Sequence, residues 1–555
     1  MKILEQLKKE VIVIIFFLLF FLIGIFIYKD YGISVDENYQ RQLGIDNLKY
    51  IFFNDTSLLK NDDKYHGPIF EIFLVFVEKL LNLKDTQMIF YMRHLVTFSL
   101  FFSGVFFFYL LCKHRFNSKK LGLIGSLFLI LSPRIFADSF YNSKDIPCMV
   151  LFIISIYTLV KFLENKTLKC AILHGIVCAI LIDIRIIGML VPAFTLFFYF
   201  LSRSTINLKK QFFVLFIYFF NLFIFVIIFF PTLWENPFIE FINTLRKMKY
   251  YPNQFCVLYS GLYIPNTNLP WHYIPMWLLI TTPLTYSVFF FIGTFTIKEL
   301  FKTILLKQDF NNIKIMDTIF LLWFFVPIFI VIIFKSVLYN GWRHLFFIYP
   351  AFLIISLNGL VTFVNFINRI SVRINFSFYK NDKLFLKNNN TSIISILFII
   401  VIFIYLINVL YFMIKNHPHQ NVYFNILVSN NLEDNWELDY WRLSYKQGLQ
   451  FLLKNEKKRP IYIYSHSESL LYPVILNSQI LSSDERRSFI FGDNSYRADY
   501  FFTNFSMNKN SRYCYEIYSI IIEGTKIMSI YKIKSPFIFL TYGFKLGVSS
   551  GKNDI

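Results

Sequence analysis

The sequence predicts an all-α polytopic membrane protein of about 11 transmembrane helices, with a small C-terminal α/β domain on the outer side. Three observations carry that expectation. The 555 residues are 56% hydrophobic and 20% aromatic, and the mean hydropathy is +0.52. Apolar runs of about 20 residues recur, the length a helix needs to cross roughly 30 Å of hydrocarbon. The Lys and Arg behind the net charge of +20 gather between those runs, in "KHRFNSKK", "KFLENKTLK", "SRSTINLKK", "IKELFKTILLKQDFNNIK" and "NRISVRINFSFYKNDKLFLKNNN". Basic loops on alternate sides are the positive-inside pattern. A nucleic-acid face would need a folded soluble domain to carry it, so nucleic acid is not an expected partner.

The elements follow in order. The basic "MKILEQLKKE" is placed inside. The run after it, "VIVIIFFLLFFLIGIFIY", lacks a small-residue cleavage site and reads as a retained signal anchor. The predicted spans are 11–28, 94–112, 121–136, 147–163, 170–185, 187–202, 211–230, 273–295, 316–334, 345–366 and 392–414. All five basic clusters then fall inside. The outer segments are 29–93, 137–146, 231–272, 335–344 and the tail, so residues 1–415 form a membrane domain and 416–555 an extracytoplasmic one. In the tail, "RPIYIYSH", "RADYFFTNF" and "SRYCYEIYSIIIEGTKIMSIYKI" predict short strands, the last a hairpin around "EGTK". Of the six cysteines only Cys256 and Cys514 lie outside, where a disulfide between them is open. The chain has no glycine-rich phosphate loop, so an activated substrate used outside would have to arrive on a lipid.

The unusual residues gather in the outer segments. "YGISVDENYQRQLG" puts Asp36 and Glu37 directly after the first span. Ser34 and Glu37 fit a capping box, a purely structural use that leaves Asp36 without a capping duty. "SPRIFADSFYNSKDIPCMV" crowds Arg134, Asp138, Lys144 and Asp145 at a membrane boundary, where ionisable groups are paired or functional. The plainer account has Arg134 and Lys144 snorkelling and Asp145 capping the helix ahead of Ile146-Pro147. "KSVLYNGWRHLFFIYP" carries Lys335, Arg343 and His344 at the depth of a lipid phosphate, to which the planar Arg fork is suited; an interfacial anchor is the alternative. Arg185 is expected to be neutralised by Asp183 two residues away. His66 and His272 could meet around a metal, although two histidines without a third ligand make a poor site. No cofactor is required by the sequence, and a divalent metal stays open.

Taken together these stretches resemble the C-type glycosyltransferase superfamily, within it family 39: protein O-mannosyltransferases and the bacterial aminoarabinose transferases. "SVDENY" resembles the Asp-Glu motif of their first outer loop, and "KYHGPIFEIFLVF" the Tyr-x-x-x-Pro-Pro-Leu stretch after it. "PRIFADSFYNSKDIP" resembles their second outer loop, with Asp145 at its acidic position. "KSVLYNGWRHLFFIYP" resembles their late Lys…Arg-Tyr-x-x-Pro motif, and "HPHQNVYFNILV…ELDYWRLSYKQGL" the start of an outer C-terminal domain. The chain departs from the pattern at Ile69, where a second proline is expected, and at His66-Gly67, where aminoarabinose transferases have Glu-Lys.

The resemblance implies a C-type fold; the threading adds a bacterial inner membrane with the N-terminus cytoplasmic and the C-terminal domain periplasmic or extracellular, an endoplasmic reticulum membrane being the alternative for a eukaryotic source. The resemblance also implies transfer of a sugar from a polyprenyl-phosphate donor to a protein, lipid A or another envelope glycan, by inverting single displacement. Asp36 is then the expected base, Glu37 orients the acceptor or the loop helix, and Asp145 is a second acidic partner. Arg343, with Lys335 or His344, stabilises the leaving phosphate, with Lys144 and Arg134 as substitutes. The competing readings are a transporter or flippase, which would show paired halves with broken helices, and a non-catalytic scaffold for polyprenyl-linked glycans.

Overall fold

A computed structural model describes residues 2–61, 63–202, 207–249, 255–305, 312–378, 393–428, 431–464, 468–492, 499–505 and 514–533. Most of the long basic loop between the last two predicted spans, at 379–392, lies outside the described residues, as does 534–555.

Among the described residues, seven helices are long and apolar enough to cross a membrane: Glu10–Ile27, Thr86–Phe116, Asp145–Asn165, Leu208–Phe229, Asn312–Ile333, Arg343–Arg369 and Ile394–Lys415. The predicted span 121–136 is a broken one. Lys119–Ile130 and Pro133–Tyr141 meet at 71°, with Pro133 opening the second piece. Two further predicted spans are the shorter apolar helices Leu168–Ile184 and Ile186–Leu201. The span predicted over 273–295 is two helices, Tyr273–Thr281 and Leu284–Leu305. At that break the Asn425 amide donates to the carbonyls of Leu279 (2.6 Å) and Thr282 (2.8 Å), so the freed backbone groups are satisfied inside the protein. Leu284–Leu305 packs tightly on Tyr349–Phe378. A Cβ on Gly293 would stand 2.1 Å from the Ile355 carbonyl oxygen, and one on Gly359 would stand 1.9 Å from that of Phe289. Small residues at helix contacts are how bilayer helices reach dispersion distance.

The charge-based threading has a structural counterpart. At one end Arg115 pairs with Asp317 (2.6 Å), His114 with Glu164 (2.6 Å) and Lys119 with Glu10, joining segments predicted to share the inner side. At the other end all five predicted outer segments meet. Arg343 reaches Asp36, the Thr232 hydroxyl donates to the Lys64 carbonyl, Tyr259 bridges to Trp436, and the Trp441 indole donates to Asp138.

Strands β1 (Cys256–Tyr259) and β2 (Leu262–Pro265) form an antiparallel pair. Cys256 is a free, exposed thiol, so the disulfide left open above is not formed. The C-terminal region folds around β3 (Ile461–Tyr464), β4 (Phe489–Gly492), β5 (Tyr500–Thr503), β6 (Cys514–Ile522) and β7 (Thr525–Ile533) in the order β4-β3-β5-β7-β6. β3 runs parallel to β4 and β5, and β7 antiparallel to β5 and β6. The predicted hairpin is present, turning through Glu523 (φ 47°) and Gly524 (φ 83°), the two left-handed residues of a tight hairpin turn.

This sheet region grips the first loop. The buried Asn477 amide accepts from Ile33 N (3.1 Å) and donates to Ile33 O (3.2 Å), and Lys446 Nζ caps the carbonyls of Lys29 and Tyr31. Residues 29–34 are therefore pinned from above, which fixes where the following Asp36 emerges.

Candidate active site

Asp36 precedes the helix Glu37–Phe53 and makes no capping bond with its side chain. Half of the expected capping box exists: Glu37 Oε2 accepts from Ser34 N at 2.7 Å. The Ser34 hydroxyl donates instead to the Tyr141 carbonyl (3.3 Å). Glu37 is 2% exposed and its other oxygen meets His94 Nε2 at 3.1 Å. The two adjacent carboxylates thus have opposite fates. Glu37 is locked into the protein, whereas the Asp36 side chain is 43% exposed and accepts from Arg343 Nη1 at 2.8 Å.

Asp36 opens into a cavity of about 650 Å³. Its lining includes the ionisable Asp36, Asp63, His66, Lys144, Asp183, Arg185, Arg343 and His344. Aliphatic and aromatic side chains line it too, among them Ile182, Ile184, Ile187, Val331, Leu338 and Phe347. Asp145 lies behind the cations and is buried. It pairs with Arg185, stands 3.7 Å from Arg343 Nη1 and accepts from the Asn142 amide at 3.0 Å. Asp145 is not the helix cap expected of it. Asn142 takes that duty, accepting from Asp145 N at 2.8 Å, and frees the carboxylate for the arginines.

Arg185 does not pair with Asp183. It ends its helix in extended backbone (φ −150°, ψ 129°), which throws the guanidinium towards Asp145. Asp183 turns the other way and accepts from Ile69 N (2.8 Å), nailing the loop after His66 to this helix end. The approach there is so close that a Cβ on Gly67 would fall 1.1 Å from the Asp183 carbonyl oxygen. The chain's departure from the Glu-Lys pair is therefore a packing requirement at Gly67. Burial above all, then Lys144, pushes His66 down to about 4 against the pull of Asp63, so it faces the cavity uncharged at neutral pH. Burial first, then the Arg185 charge, lowers Lys144 to about 8.

Three predicted residues sit elsewhere. Arg134 does not snorkel: it is 6% exposed, stacked between Phe424 (4.6 Å) and Trp277 (5.4 Å), and its Nε donates to the Tyr423 carbonyl. Lys335 ends the helix Asn312–Ile333 with φ 47°, exposed and outside the cavity lining. His272 bonds the Tyr259 hydroxyl (2.6 Å) and does not join His66 at the cavity. Among the described residues no group of three or more His, Cys, Asp or Glu could hold a metal ion. With Asp36 and Asp145 turned to arginines, this donor set does not fit a resident divalent ion. Residues that the sequence reading passed over are Gln40, Tyr339 and Tyr472, which line the cavity, and Trp441, stacked on Arg343. Tyr472 and Trp441 arrive from beyond the last span; Trp441 lies within the quoted "ELDYWRLSYKQGL", where nothing sets it apart from its neighbours, and Tyr472 lies in no quoted stretch.

The geometry defines a class: a cavity between the predicted outer segments in which a half-exposed carboxylate, Asp36, pairs with Arg343 beside further basic side chains and aliphatic ones. Residues 65–234 match the family model for dolichyl-phosphate-mannose-protein mannosyltransferase. That stretch holds His66, Lys144, Asp145 and Arg185. The glycosyltransferase class and the family resemblance read from the sequence are the ones this match describes.

Similar solved structures include ArnT from Cupriavidus metallidurans bound to undecaprenyl phosphate. It is 10% identical with a TM-score of 0.47, over 93% of this chain and 97% of that one. The archaeal oligosaccharyltransferase AglB from Archaeoglobus fulgidus, in complex with an inhibitory peptide and a dolichol-phosphate, is 10% identical with a TM-score of 0.43, over 85% of this chain. The chain spans 66% of that protein's length. No curated protein matches the chain.

Proposed function

We propose that this protein transfers a sugar from a polyprenyl-phosphate donor to a hydroxyl-bearing acceptor, a protein, lipid A or another envelope glycan, on the outer face of a bacterial inner membrane. The N-terminus is then cytoplasmic, and the C-terminal domain lies with the site. The observation that carries the reading is the cavity itself. A half-exposed carboxylate stands 2.8 Å from Arg343 in a cavity that Lys144, Arg185, His66 and His344 also line, together with aliphatic side chains. A phosphate on a prenyl chain has that polarity.

In the reaction Asp36 takes the proton of the acceptor hydroxyl. The acceptor oxygen attacks the anomeric carbon from the face opposite the phosphate. The C1–O bond to phosphate breaks, its electron pair leaves on the phosphate oxygen, and the configuration inverts. Arg343 and Lys144 balance the charge that gathers there, and the His344 ring can donate an N–H to it. Leaving phosphate needs no general acid, so one base suffices. Asp145, itself oriented by Asn142, holds the arginines from behind, and Glu37 holds the loop helix.

The test is transfer of radiolabelled sugar from a polyprenyl-phosphate donor in membranes, with mass spectrometry of the labelled acceptor. Asp36→Asn, at unchanged membrane level, is expected to lose transfer by about 10²–10⁴-fold, the usual range for general-base catalysis. Transfer retained in Asp36→Asn removes Asp36 as base. Movement of the donor across the bilayer without bond formation favours the transporter instead.

A further inference from the structure

Arg343 is held on three sides, and one of them comes from beyond the last transmembrane helix. The Trp441 ring lies 4.4 Å from its guanidinium and is 1% exposed. The indole N–H donates to Asp138 Oδ1 at 3.1 Å. That same oxygen accepts from the Asn142 amide (3.0 Å), and the amide also donates to Asp145 Oδ2 (3.0 Å). Asp145 Oδ2 stands 3.7 Å from Arg343 Nη1, which closes the circuit back to Trp441. A buried indole needs a partner for its N–H, and many acceptors would serve. Here the partner is a carboxylate 303 residues away, in the network that also orients Arg343's second acidic neighbour. A guanidinium held over a ring face keeps its N–H groups free for other partners. The ring contact therefore restrains the position from which Nη1 reaches Asp36.

We propose that Trp441 is a positioning residue for the transfer reaction: its ring sets the orientation of Arg343, so the C-terminal region takes part in assembling the site. The inference rests on the proposed function, because Arg343 is taken there as the partner of the leaving phosphate.

The experiment compares the full-length protein with Trp441→Phe and Trp441→Leu for transfer from the polyprenyl-phosphate sugar, with Asp36→Asn as reference. Phe keeps a ring face and loses the N–H, while Leu loses both. Trp441→Leu is expected to lower kcat about tenfold or more, the scale of a desolvated cation–π contact, with the acceptor KM unchanged. Trp441→Phe stays within about threefold. Should Trp441→Leu fail to reach the membrane, mono-, di- and trifluorotryptophan placed at position 441 replace it. Fluorine drains the ring's negative face without changing its size, so kcat falls stepwise with fluorination if the stack positions Arg343. Equal kcat across the variants or the fluorinated series, with Asp36→Asn inactive, overturns the inference and leaves the proposed function standing. An equal loss in the Phe and Leu variants also overturns it, because it assigns the effect to the N–H. No transfer by the unaltered protein overturns the proposed function and the inference with it.

Discussion

Two polar clusters in this molecule, one neutral and one charged, meet opposite outcomes. One lies within the helix bundle, where His174 bonds the hydroxyls of Thr158 and Thr195 (2.9 Å each) and packs on Tyr218. Both threonines also donate to carbonyls of their own helices, and the Tyr218 hydroxyl meets Cys178. Its polar groups answer one another and it does not line the large cavity. The other cluster, around Asp36, Asp145, Arg185 and Arg343, leaves Arg343 Nε and Arg185 Nε without partners and opens into that cavity. Polarity in a membrane protein does not by itself mark a site. Unfinished hydrogen bonding beside a cavity does, because each orphaned buried donor costs free energy that a ligand can recover.

That contrast can be broken or sharpened experimentally. The largest effect is expected from Arg343→Gln, which removes the charge that touches Asp36: a fall of about 10²–10³ in kcat, read as sugar transfer in membranes. Glu37→Gln should act on stability instead. Glutamine has one acceptor oxygen where Glu37 uses two, so a loss of about 1–3 kcal/mol is expected in thermal unfolding. If Glu37→Gln abolishes transfer at unchanged stability, Glu37 belongs to the chemistry.

A smaller effect concerns pH. Lys144 faces Arg185, Asp145, Asp36 and Glu71, with His66 and His344 beside it, and burial with the Arg185 charge holds it at about 8. The ammonium is charged below that value and neutral above it. The donor KM should therefore rise several-fold as pH passes through about 8. Lys144→Arg, charged throughout, should remove the rise. The least effect is expected of His174→Leu, which leaves both threonines their backbone partners: about 1 kcal/mol in stability, with kcat within about twofold. A tenfold loss of kcat there would erase the distinction between the clusters.

Much of the fold was legible because hydrocarbon and charge act locally. The strand hairpin at Glu523-Gly524 and the span Asp145–Asn165 follow from short-range pattern. The breaks were less legible. The span read over 273–295 breaks at Thr281-Thr282-Pro283, which the reading ran through, and Asn425, from a distant loop, shows how the break is satisfied. Within the site, Asp36, Lys144, Asp145, Arg343, His344 and His66 could be named from their positions at the membrane boundary. Their partners could not. Arg185 was matched to Asp183 by proximity in sequence, but the extended backbone at its helix end turns it to Asp145. Arg134 read as a surface cation and is an interior one, because aromatic faces from Trp277 and Phe424 enclose it.

The sequence by itself determined that the chain crosses a membrane repeatedly, which segments share a side, and that two carboxylates follow the first span. Those properties depend on transfer free energies and short motifs, which each residue carries with it. Only the tertiary structure decided that Glu37 is locked and Asp36 open to the cavity, that Arg343 stands between Asp36 and Asp145, and that the Trp441 ring lies against it. Those are contacts across hundreds of residues. They are set by which surfaces of the helices and of the C-terminal sheet region pack together, and no local property of the chain encodes them.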